Sequence, residues 1–427
     1  MREMKDSGVE WIGKIPEEWT KDKAIRLFNI IGSGTTPKNI TSDFPCVNWI
    51  QSGDINGSLI SSCKNNVSES IISQYSALKI YAAPFIVIAM YGASVGNTSI
   101  SLIDGCVNQA CCVLSASIYN LNYAFYAIKS SQNYLIRKAI GGGQPNISQD
   151  TIKQLWLPLP ALHEQEHIAA FLDAECAEID AVLEKTRASI EEYKKLKQAV
   201  IAQAVTKGIR GDRPMKNSGI EWIGDIPVEW NKDKVIRVFS VIGSGTTPKS
   251  SDENLFDGNT PWIQSGDING ENLFITKNCV SNSAIESYSA LRVYQAPYLV
   301  VAMYGASVGN LSLSMIDACV NQACCVLKKP TINLKFSFYI FKAVKDYLAR
   351  KAVGGGQPNI SQETIKQFWL PIPSADEQIE ISNYLDEKCR SVDALIAKKQ
   401  QYLTEIESYK KSLIYEYVTG KKEVHPL

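Results

Sequence analysis

His163 and His167 flank Glu164 in the pattern His-Glu-x-x-His, which places two zinc ligands on one face of a helix in zinc peptidases. The equivalent stretch in the second half of the chain, 376–380, contains no histidine. A third ligand such as Glu184 would lie on the same predicted helix, roughly 30 Å away at about 1.5 Å per residue. We therefore interpret the match as a coincidence and predict no metal site.

Eleven cysteines could supply thiols for metal or redox chemistry, and four of them form the adjacent pairs Cys111-Cys112 and Cys324-Cys325. The usual zinc spacing Cys-x-x-Cys does not occur, and adjacent cysteines are poorly placed for structural disulfides. Both pairs lie in runs of Val, Ala and Leu that we predict to be buried strands, where free cysteine behaves as a small hydrophobic residue. We predict neither a metal nor a redox role.

The composition limits the remaining functions. A chain of 427 residues, 45% hydrophobic and 21% charged, is typical of a globular protein with two or three domains. No apolar run approaches the roughly 18 residues of a membrane span and the first residues do not resemble a secretory signal, so we expect a cytoplasmic protein. The sequence contains no Gly-x-x-x-x-Gly-Lys-Ser/Thr phosphate loop, so we do not expect this chain to bind ATP. Because 44 basic residues balance 44 acidic ones, a nucleic-acid binder of this composition would rely on partners for much of its phosphate contact.

The chain contains the same unit twice. Residues 49–57 recur letter for letter at 262–270, and 107–114 recur at 320–327, both 213 positions later. About two-thirds of positions 49–160 are identical between the copies. Solenoid repeats are only about 20–50 residues long, so each copy is large enough to be a domain with an additional element. Two nearly identical units predict one function performed at two places.

Each copy has the same order of predicted elements. An entry motif at 7–19 precedes about 130 residues in which β-branched and aromatic runs such as 85–91 predict strands. Gly-Asp and Asn-Gly pairs predict turns, and 123–138 predicts a helix. The globular part is therefore predicted to be an α+β domain. The second copy repeats these features at 218–230, 298–304 and 336–351.

Each copy closes with a Pro-x-Pro segment and a long amphipathic helix, the second of which begins with the capping box Ser374–Glu377. Apolar residues at spacings of three, four and seven, with Lys and Glu between them, are typical of a coiled-coil seam. About 40 residues make a rod of roughly 60 Å. Two such rods would most simply pack on each other, since two unrelated surface helices would leave both apolar stripes in water. The predicted seam is Ile168, Leu172, Ile179, Val182, Ile190, Tyr193, Val200 and Ala204 in the first helix, and Ile381, Leu385, Val392, Leu395, Tyr402, Ile406, Tyr409, Leu413 and Tyr417 in the second.

These elements predict an α+β fold with two similar globular domains separated by two long helices that form an antiparallel coiled coil. The residues that follow the second helix, 418–421, resemble those that follow the first, 205–208. The entry of the second copy, 215–219, resembles the start of the chain, 4–8, so the order is domain, helix, domain, helix. An antiparallel helix pair would then carry one domain at each end, related by a pseudo-twofold axis. The predicted bounds are 1–160 and 207–373 for the domains, and 161–206 and 374–420 for the helices.

The order of the repeated motifs resembles the specificity (S) subunit of type I restriction-modification systems. Each motif alone is weak evidence, but eight in one order, found in both halves and covering nearly the whole chain, are specific. The Glu-Gln pair is one of them, with or without flanking histidines, which is a further reason to reject a zinc site. In the first copy the motifs are 32–37, Trp49-Ile50, Gly53-Asp54-Ile55, Gly92 with Gly96, Asn108-Gln109, the glycine-rich turn 141–143, 157–160, and Glu164-Gln165 before the long helix.

The resemblance implies two target-recognition domains that read the two parts of a split target in double-stranded DNA. The helices would act as a ruler and as the docking site for two methyltransferase (M) subunits, which methylate adenine with S-adenosylmethionine. Nuclease-translocase (R) subunits, where present, would use ATP and Mg²⁺. This chain lacks the Asn/Asp-Pro-Pro-Tyr/Phe tetrapeptide of adenine methyltransferases, so we expect a non-catalytic subunit without a cofactor of its own. Candidate contacts with the partner subunits are Ile168, Leu172, Ile179, Leu385, Val392 and Leu395.

Two alternatives stay open at this point. A DNA-binding protein with two recognition domains and no enzymatic partners would also contain the unit twice. The neutral charge balance and the apolar stripes of the long helices favour a multisubunit complex instead. A duplicated carbohydrate- or protein-binding module would explain the repeat but not the ordered motifs.

The two domains are nearly alike, whereas the family often pairs different ones. Rods of this length would hold two readers on the order of one to two DNA turns apart, at about 34 Å per turn. Similar readers around a twofold axis match the antiparallel symmetry of duplex DNA. We therefore predict that the target is an interrupted palindrome with a spacer that is not contacted.

Polar, glycine-rich turns are the candidate DNA contacts. Their hydroxyls, exposed amides and lysines suit phosphate, and glutamine amides can pair bidentately with adenine; equally, such glycines can serve backbone geometry alone. Asn108-Gln109 occurs across the family while targets vary, so an architectural role is favoured there. Base choice is expected where family members differ, at 39–48, 58–80 and 115–135. The candidates are Ser33, Thr35, Thr36, Lys38, Gln51, Lys64, Lys79, Gln144 and Asn146, and in the second copy Ser244, Thr246, Thr247, Lys249, Gln264, Lys277, Arg292, Gln357 and Asn359.

Overall fold

The chain divides into two compact units. Unit 1 comprises Met1–Arg187 and Gln401–Leu427, and unit 2 comprises Ala188–Gln400, so each unit contains one copy of the repeated domain and part of both long helices. None of the helices described is long and apolar enough to cross a membrane. The computed structural model describes residues 2–38, 46–57, 59–139, 145–270, 272–352 and 358–424, apart from the side chain of Ala116.

Unit 1 has mixed α and β structure, as the sequence predicts. Its strands are β1 (Met4–Asp6), β2 (Lys14–Pro16), β3 (Thr20–Lys23), β4 (Phe28–Ser33), β5 (Cys46–Ile50), β6 (Leu59–Ile60), β7 (Asn65–Ser68), β8 (Phe85–Ala89), β9 (Thr98–Ser101), β10 (Gly105–Val107), β11 (Cys111–Ser117) and β12 (Trp156–Leu159). Its helices are α1 (Ala24–Leu27), α2 (Glu69–Ile72), α3 (Leu121–Ser130), α4 (Gln132–Lys138), α5 (Gln149–Lys153) and the long helix α6 (Leu162–Lys207), which continues into unit 2.

Unit 2 repeats this order. Its strands are β13 (Met215–Asn217), β14 (Asp225–Pro227), β15 (Asn231–Lys234), β16 (Phe239–Gly243), β17 (Thr260–Ile263), β18 (Asn272–Leu273), β19 (Asn278–Val280), β20 (Tyr298–Ala302), β21 (Leu311–Ser314), β22 (Cys319–Val320), β23 (Cys324–Pro330) and β24 (Trp369–Ile372). Its helices are α7 (Val235–Val238), α8 (Asn282–Ser287), α9 (Leu334–Ala343), α10 (Lys345–Arg350), α11 (Gln362–Lys366) and the long helix α12 (Ala375–Val418), which continues into unit 1.

A five-stranded sheet of order β4-β11-β8-β9-β6 forms the centre of unit 1, beside a three-stranded sheet of order β10-β5-β7. Every residue of β8 is buried because both faces of this strand are covered. Ile86 and Ile88 face α3 and the long helices, whereas Phe85, Val87 and Ala89 face β5 and β10. Unit 2 contains the same two sheets, ordered β16-β23-β20-β21-β18 and β19-β17-β22.

The helix predicted at 123–138 is two helices, α3 and α4, and the same break separates α9 from α10. Asn120 caps α3 by accepting a hydrogen bond from the backbone of Tyr123. At the break, the buried Ser131 hydroxyl donates to the carbonyl of Ile128 at 2.7 Å. The equivalent break in unit 2 falls at Val344, which has no hydroxyl, so the Ser131 bond is a local feature of unit 1 and not the cause of the break.

The two long helices run antiparallel within each unit, as predicted. In unit 1, Asp180 and Arg187 of α6 pair with Lys410 and Glu407 of α12, both at 2.6 Å. In unit 2, Lys197 of α6 donates to Asp393 of α12. Most of these ion pairs are solvated and each contributes little, so the apolar residues between them carry most of the stability.

The predicted seam is only partly buried. Ile190 is buried with Ile168 and Leu172 in α6, as are Ile381, Leu385 and Leu413 in α12. The seam assignment is wrong for Val182, Leu395, Tyr402 and Tyr409, which are exposed. The buried stripe instead includes Leu183, because a straight helix drifts relative to a strict seven-residue repeat. It also includes Ile201 and Ile414, which pack with residues of the globular domains.

Candidate nucleic-acid interface

Five loops lie together at one edge of unit 1. Strand β4 ends beside the start of β11, because Ser33 pairs with Cys112. Strand β8 ends beside the starts of β11 and β9, because Ile88 pairs with Cys112 and with Thr98. Strands β5 and β10 run parallel and end side by side at Ile50 and Val107. We call the loops that follow these four strands, together with segment 145–147, in which Asn146 pairs with Tyr91, the reading edge. In unit 1 it comprises 33–38, 51–57, 90–97, 108–110 and 145–147, and in unit 2 the equivalent 244–249, 264–270, 303–310, 321–323 and 358–360.

Hydrogen bonds within the chain hold these loops against each other. The hydroxyl of Thr36 donates to the side chain of Gln109, and Thr247 donates to Gln322 at 2.6 Å in unit 2. The backbone of Asn108 donates to the carbonyl of Ile50 at 3.2 Å. Asn108 also accepts a bond from the backbone of Ala110, at 3.1 Å. Asn108 and Gln109 thus bond neighbouring loops within the chain, as an architectural role for the Asn-Gln pair would require.

Most of the predicted DNA contacts lie on the reading edges. Thr36, Lys38 and Asn146 are exposed there, as are Thr247, Lys249 and Asn359 in unit 2. Ser33, Thr35 and Gln51 are half-buried, as are Ser244, Thr246 and Gln264. The amide oxygen of Gln51 accepts from Asn65 at 3.2 Å, and that of Gln264 accepts from Asn278 at 3.0 Å. Gln144, Gln357 and part of the variable stretch 39–48 lie outside the described residues.

The remaining predicted contacts differ in position. Lys64 and Lys277 are exposed and directly precede the asparagines that contact Gln51 and Gln264, so they adjoin the reading edges. Lys79 and Arg292 are exposed but precede Tyr81 and Tyr294. These tyrosines pair with Gly105 and Ala318, and Gly105 begins the strand whose far end meets the reading edge. The hydroxyls of Tyr81 and Tyr294 donate to the carbonyls of Ser33 and Ser244, so Lys79 and Arg292 lie two residues from tyrosines that reach the reading edges. Their contacts with DNA stay predictions.

One feature of the reading edges escaped the sequence analysis. Tyr91 and Tyr304 follow buried strands and are 44% and 43% exposed. In the sequence they end the apolar runs 85–91 and 298–304, which predict strands throughout. The only sequence signal against burial is the glycine that follows each tyrosine, which marks the end of the strand.

The Glu-Gln pairs fasten each long helix to its domain. Glu164 accepts a hydrogen bond from Trp19 Nε1, and Glu377 accepts one from Trp230 Nε1, both at 2.9 Å. Gln165 accepts from the backbone of Asn120 at 2.8 Å and donates to the carbonyl of Pro160. Glu164 is thus engaged by the entry motif. Within the described residues no three His, Cys, Asp or Glu side chains are grouped as a metal site.

The adjacent cysteines are buried in the central sheets, with all four side chains fully inaccessible. Burial raises the pKa of the Cys111, Cys112 and Cys325 thiols to about 12, and it also raises the pKa of Cys324. The thiolate is the form that binds metals and attacks disulfides, so these groups are chemically inert near neutral pH.

The Cys112 thiol makes stability depend on alkaline pH. An unfolded thiol titrates near about pH 8.5, whereas folded Cys112 keeps its proton up to about 12. The free energy of unfolding therefore falls as pH rises through this window, by about 1.4 kcal/mol per pH unit for this one group. We expect the free energy of unfolding of Cys112→Ala, measured by urea titration between about pH 9 and 11, to fall with pH less steeply than that of the parent. The difference in slope should be about 1.4 kcal/mol per pH unit. Equal slopes for the variant and the parent would contradict the assignment.

Comparison with known proteins supports the same family. A family model described as the type I restriction modification DNA specificity domain matches residues 16–192 and 227–407. The putative type I restriction enzyme MjaX specificity subunit of Methanocaldococcus jannaschii is 25% identical over 300 residues, 69% of this chain and 65% of that protein. The MjaVIII specificity subunit of the same organism is 25% identical over 316 residues, 71% of each chain. The match thus spans about two-thirds of the length of these relatives.

Solved structures share the fold. A chain from a study of complex assembly and conformational transition of the type I R-M system superposes with a TM-score of 0.74, at 16% identity, covering 96% of this chain and 99% of that one. The HsdS subunit from Thermoanaerobacter tengcongensis gives a TM-score of 0.50 at 16% identity, with 96% and 98% covered. Because the family model matches both copies and most of the chain, this protein belongs to the type I restriction-modification DNA specificity family.

Proposed function

We propose that this chain is the non-catalytic DNA-recognition subunit of a type I restriction-modification complex. The observation that carries the proposal is the reading edge, built twice from the same loops and largely the same residues. Each edge presents hydroxyls, amides and a lysine beside backbone turns, the groups that position a protein on phosphates and read base edges. Two such edges in one chain suit a target in two parts.

The long helices supply the surface for the partner subunits in this proposal. Ile168, Leu172 and Leu385 pack inside the cores of the chain, so these three predicted contacts are not available to a partner. Ile179 and Val392 are half-buried and Leu395 is exposed, so they stay candidates. The exposed apolar residues Val182, Tyr402 and Tyr409 of unit 1 and Leu196 of unit 2 are better placed, because the chain itself leaves them uncovered.

Two methyltransferase subunits are the proposed occupants of these helix surfaces, and nuclease-translocase subunits the proposed further partners. S-adenosylmethionine, ATP and Mg²⁺ belong to those subunits. The neutral net charge fits this division, because methyltransferase subunits can supply phosphate contacts that a balance of 44 basic and 44 acidic residues does not.

The likeness of the two reading edges leads to a specific target. Both edges carry the same hydroxyl, lysine and amide residues at equivalent positions, as in Thr36, Lys38 and Gln51 against Thr247, Lys249 and Gln264. Similar readers that face the two strands of a duplex read the same half-site in opposite directions. The target is then an interrupted palindrome.

The test is single-molecule sequencing of genomic DNA from cells that express this chain with its methyltransferase subunit. We expect N6-methyladenine at an interrupted palindrome. An asymmetric split motif would keep the recognition function and refute the equivalence of the two edges. No methylation, with both subunits folded and associated, would favour the solitary DNA-binding protein.

A further inference from the structure

Tyr91 and Tyr304 are large exposed aromatic residues on otherwise polar loops. Each lies two residues beyond a fully buried strand, β8 or β20, and its two preceding neighbours are buried. Neither phenol hydroxyl has a hydrogen-bond partner among the described residues. A buried tyrosine usually bonds its hydroxyl within the protein, whereas these two are 44% and 43% exposed.

The backbone around Tyr91 is held on both sides. Met90 donates to Ala110 at 2.7 Å, Gly92 donates to Pro145 at 2.9 Å, and Ile147 donates to Met90 at 2.9 Å. The same three bonds surround Tyr304, at 2.7, 3.0 and 2.8 Å. A tyrosine on such a backbone has only two side-chain torsions to fix, so it can form a contact at a low cost in conformational entropy.

The surroundings leave room for a ligand that approaches the backbone. Gly92 adopts a positive φ of +70° directly after Tyr91, and a Cβ atom placed there would meet no described atom within 4 Å apart from those of its chain neighbours Tyr91 and Ala93. Gly53 on the neighbouring loop 51–57 is equally open. Gly305 and Gly266 repeat both observations in unit 2. Within the part of the chain that the structure describes, each tyrosine is therefore followed by backbone that leaves space for a ligand.

We propose that Tyr91 and Tyr304 are specificity-determining residues, each packing its ring on a base edge in the DNA and bonding a base through its hydroxyl. This inference rests on the proposed function and adds a base contact outside the stretches 39–48, 58–80 and 115–135, where the sequence predicts base choice. Lys38 and Lys249 on the same reading edges provide the positive charge that suits phosphate, whereas a neutral phenol gains more from apolar contact and one directed bond. Because the two tyrosines are equivalent, they read the same position of each half-site.

The experiment uses the full chain in complex with its methyltransferase subunit and the duplex target identified by methylation mapping. Affinities are measured for that duplex and for duplexes substituted at each position in turn. We expect Tyr91→Ala to weaken binding to the target about 10- to 100-fold. Tyr91→Phe, which keeps the ring, should relax discrimination at one position of one half-site. Tyr304→Phe should relax the symmetry-related position of the other.

The salt dependence separates a base contact from a phosphate contact. Tyr91→Ala should leave the slope of log affinity against log salt unchanged, whereas Lys38→Ala should reduce it by about one. Ile25→Ala is the matched control, since Ile25 is 49% exposed and lies in α1, which precedes the far end of β4; its affinity should equal that of the parent.

Each outcome decides the inference. A loss with Tyr91→Ala that is uniform across all duplexes would overturn base reading, as would unchanged affinity in a parent complex that binds its target. If the parent complex binds no duplex specifically, the proposed function fails instead, so the two failures are distinguishable.

Discussion

Replacing Arg213 with methionine is expected to lower the free energy of unfolding of unit 2 by about 3–5 kcal/mol, because it leaves a buried carboxylate without its counter-ion. Glu377 is only 2% exposed and lies 2.6 Å from the Arg213 guanidinium. The same arginine donates to the carbonyl of Lys207 and lies over the ring of Trp230, 5.3 Å from its centroid. Urea unfolding followed by tryptophan fluorescence measures the change.

Two variants separate the buried charge from lost packing. Arg213→Met combined with Glu377→Gln removes both charges but keeps an acceptor for Trp230 Nε1, so most of the stability should return. Arg2→Met is the matched change in unit 1. Glu164 there has an 18% exposed side chain, so we expect a smaller loss, about 1 kcal/mol. Equal losses for Arg213→Met and Arg2→Met would show that burial of Glu377 does not set the cost.

Replacing Gly34 with alanine is expected to disrupt the reading edge of unit 1. A Cβ atom at Gly34 would lie 1.7 Å from the carbonyl oxygen of Val107, so loop 33–38 must move away from the end of β10, where loop 108–110 begins. Overpacking of this kind costs about 2–3 kcal/mol, or about 30- to 100-fold in an equilibrium constant. Affinity of the complex with its methyltransferase subunit for the target duplex should fall by about that factor. Gly245→Ala should do the same in unit 2, where the Cβ distance to Val320 is also 1.7 Å.

Gly53→Ala provides the control on the same edge. Apart from its chain neighbours, no described atom lies within 4 Å of a Cβ built at Gly53, so the thermal unfolding midpoint of the variant should equal that of the parent. Gly34→Ala should lower the midpoint. Retention of both the midpoint and the DNA affinity in Gly34→Ala would refute the packing of these two loops and their place in the interface.

The sequence by itself determined the features that depend on local pattern. The exact recurrence of 49–57 at 262–270 revealed the duplication. Helical periodicity and capping placed the long helices within two residues of their observed bounds, Leu162–Lys207 and Ala375–Val418, because backbone hydrogen bonding follows neighbouring residues. Ordered motifs identified the family, and the strand at 85–91 was correct except at its last two residues.

Only the tertiary structure decided which residues meet and which remain exposed. Lys38 and Asn146 are over 100 residues apart in the sequence and share one edge because non-local strand pairing brings them there. The same pairing leaves Tyr91 in solvent although it ends an apolar run. Likewise Tyr409 fits the heptad pattern but is exposed, because burial depends on where the partner helix and the domain lie, and no local pattern records their positions.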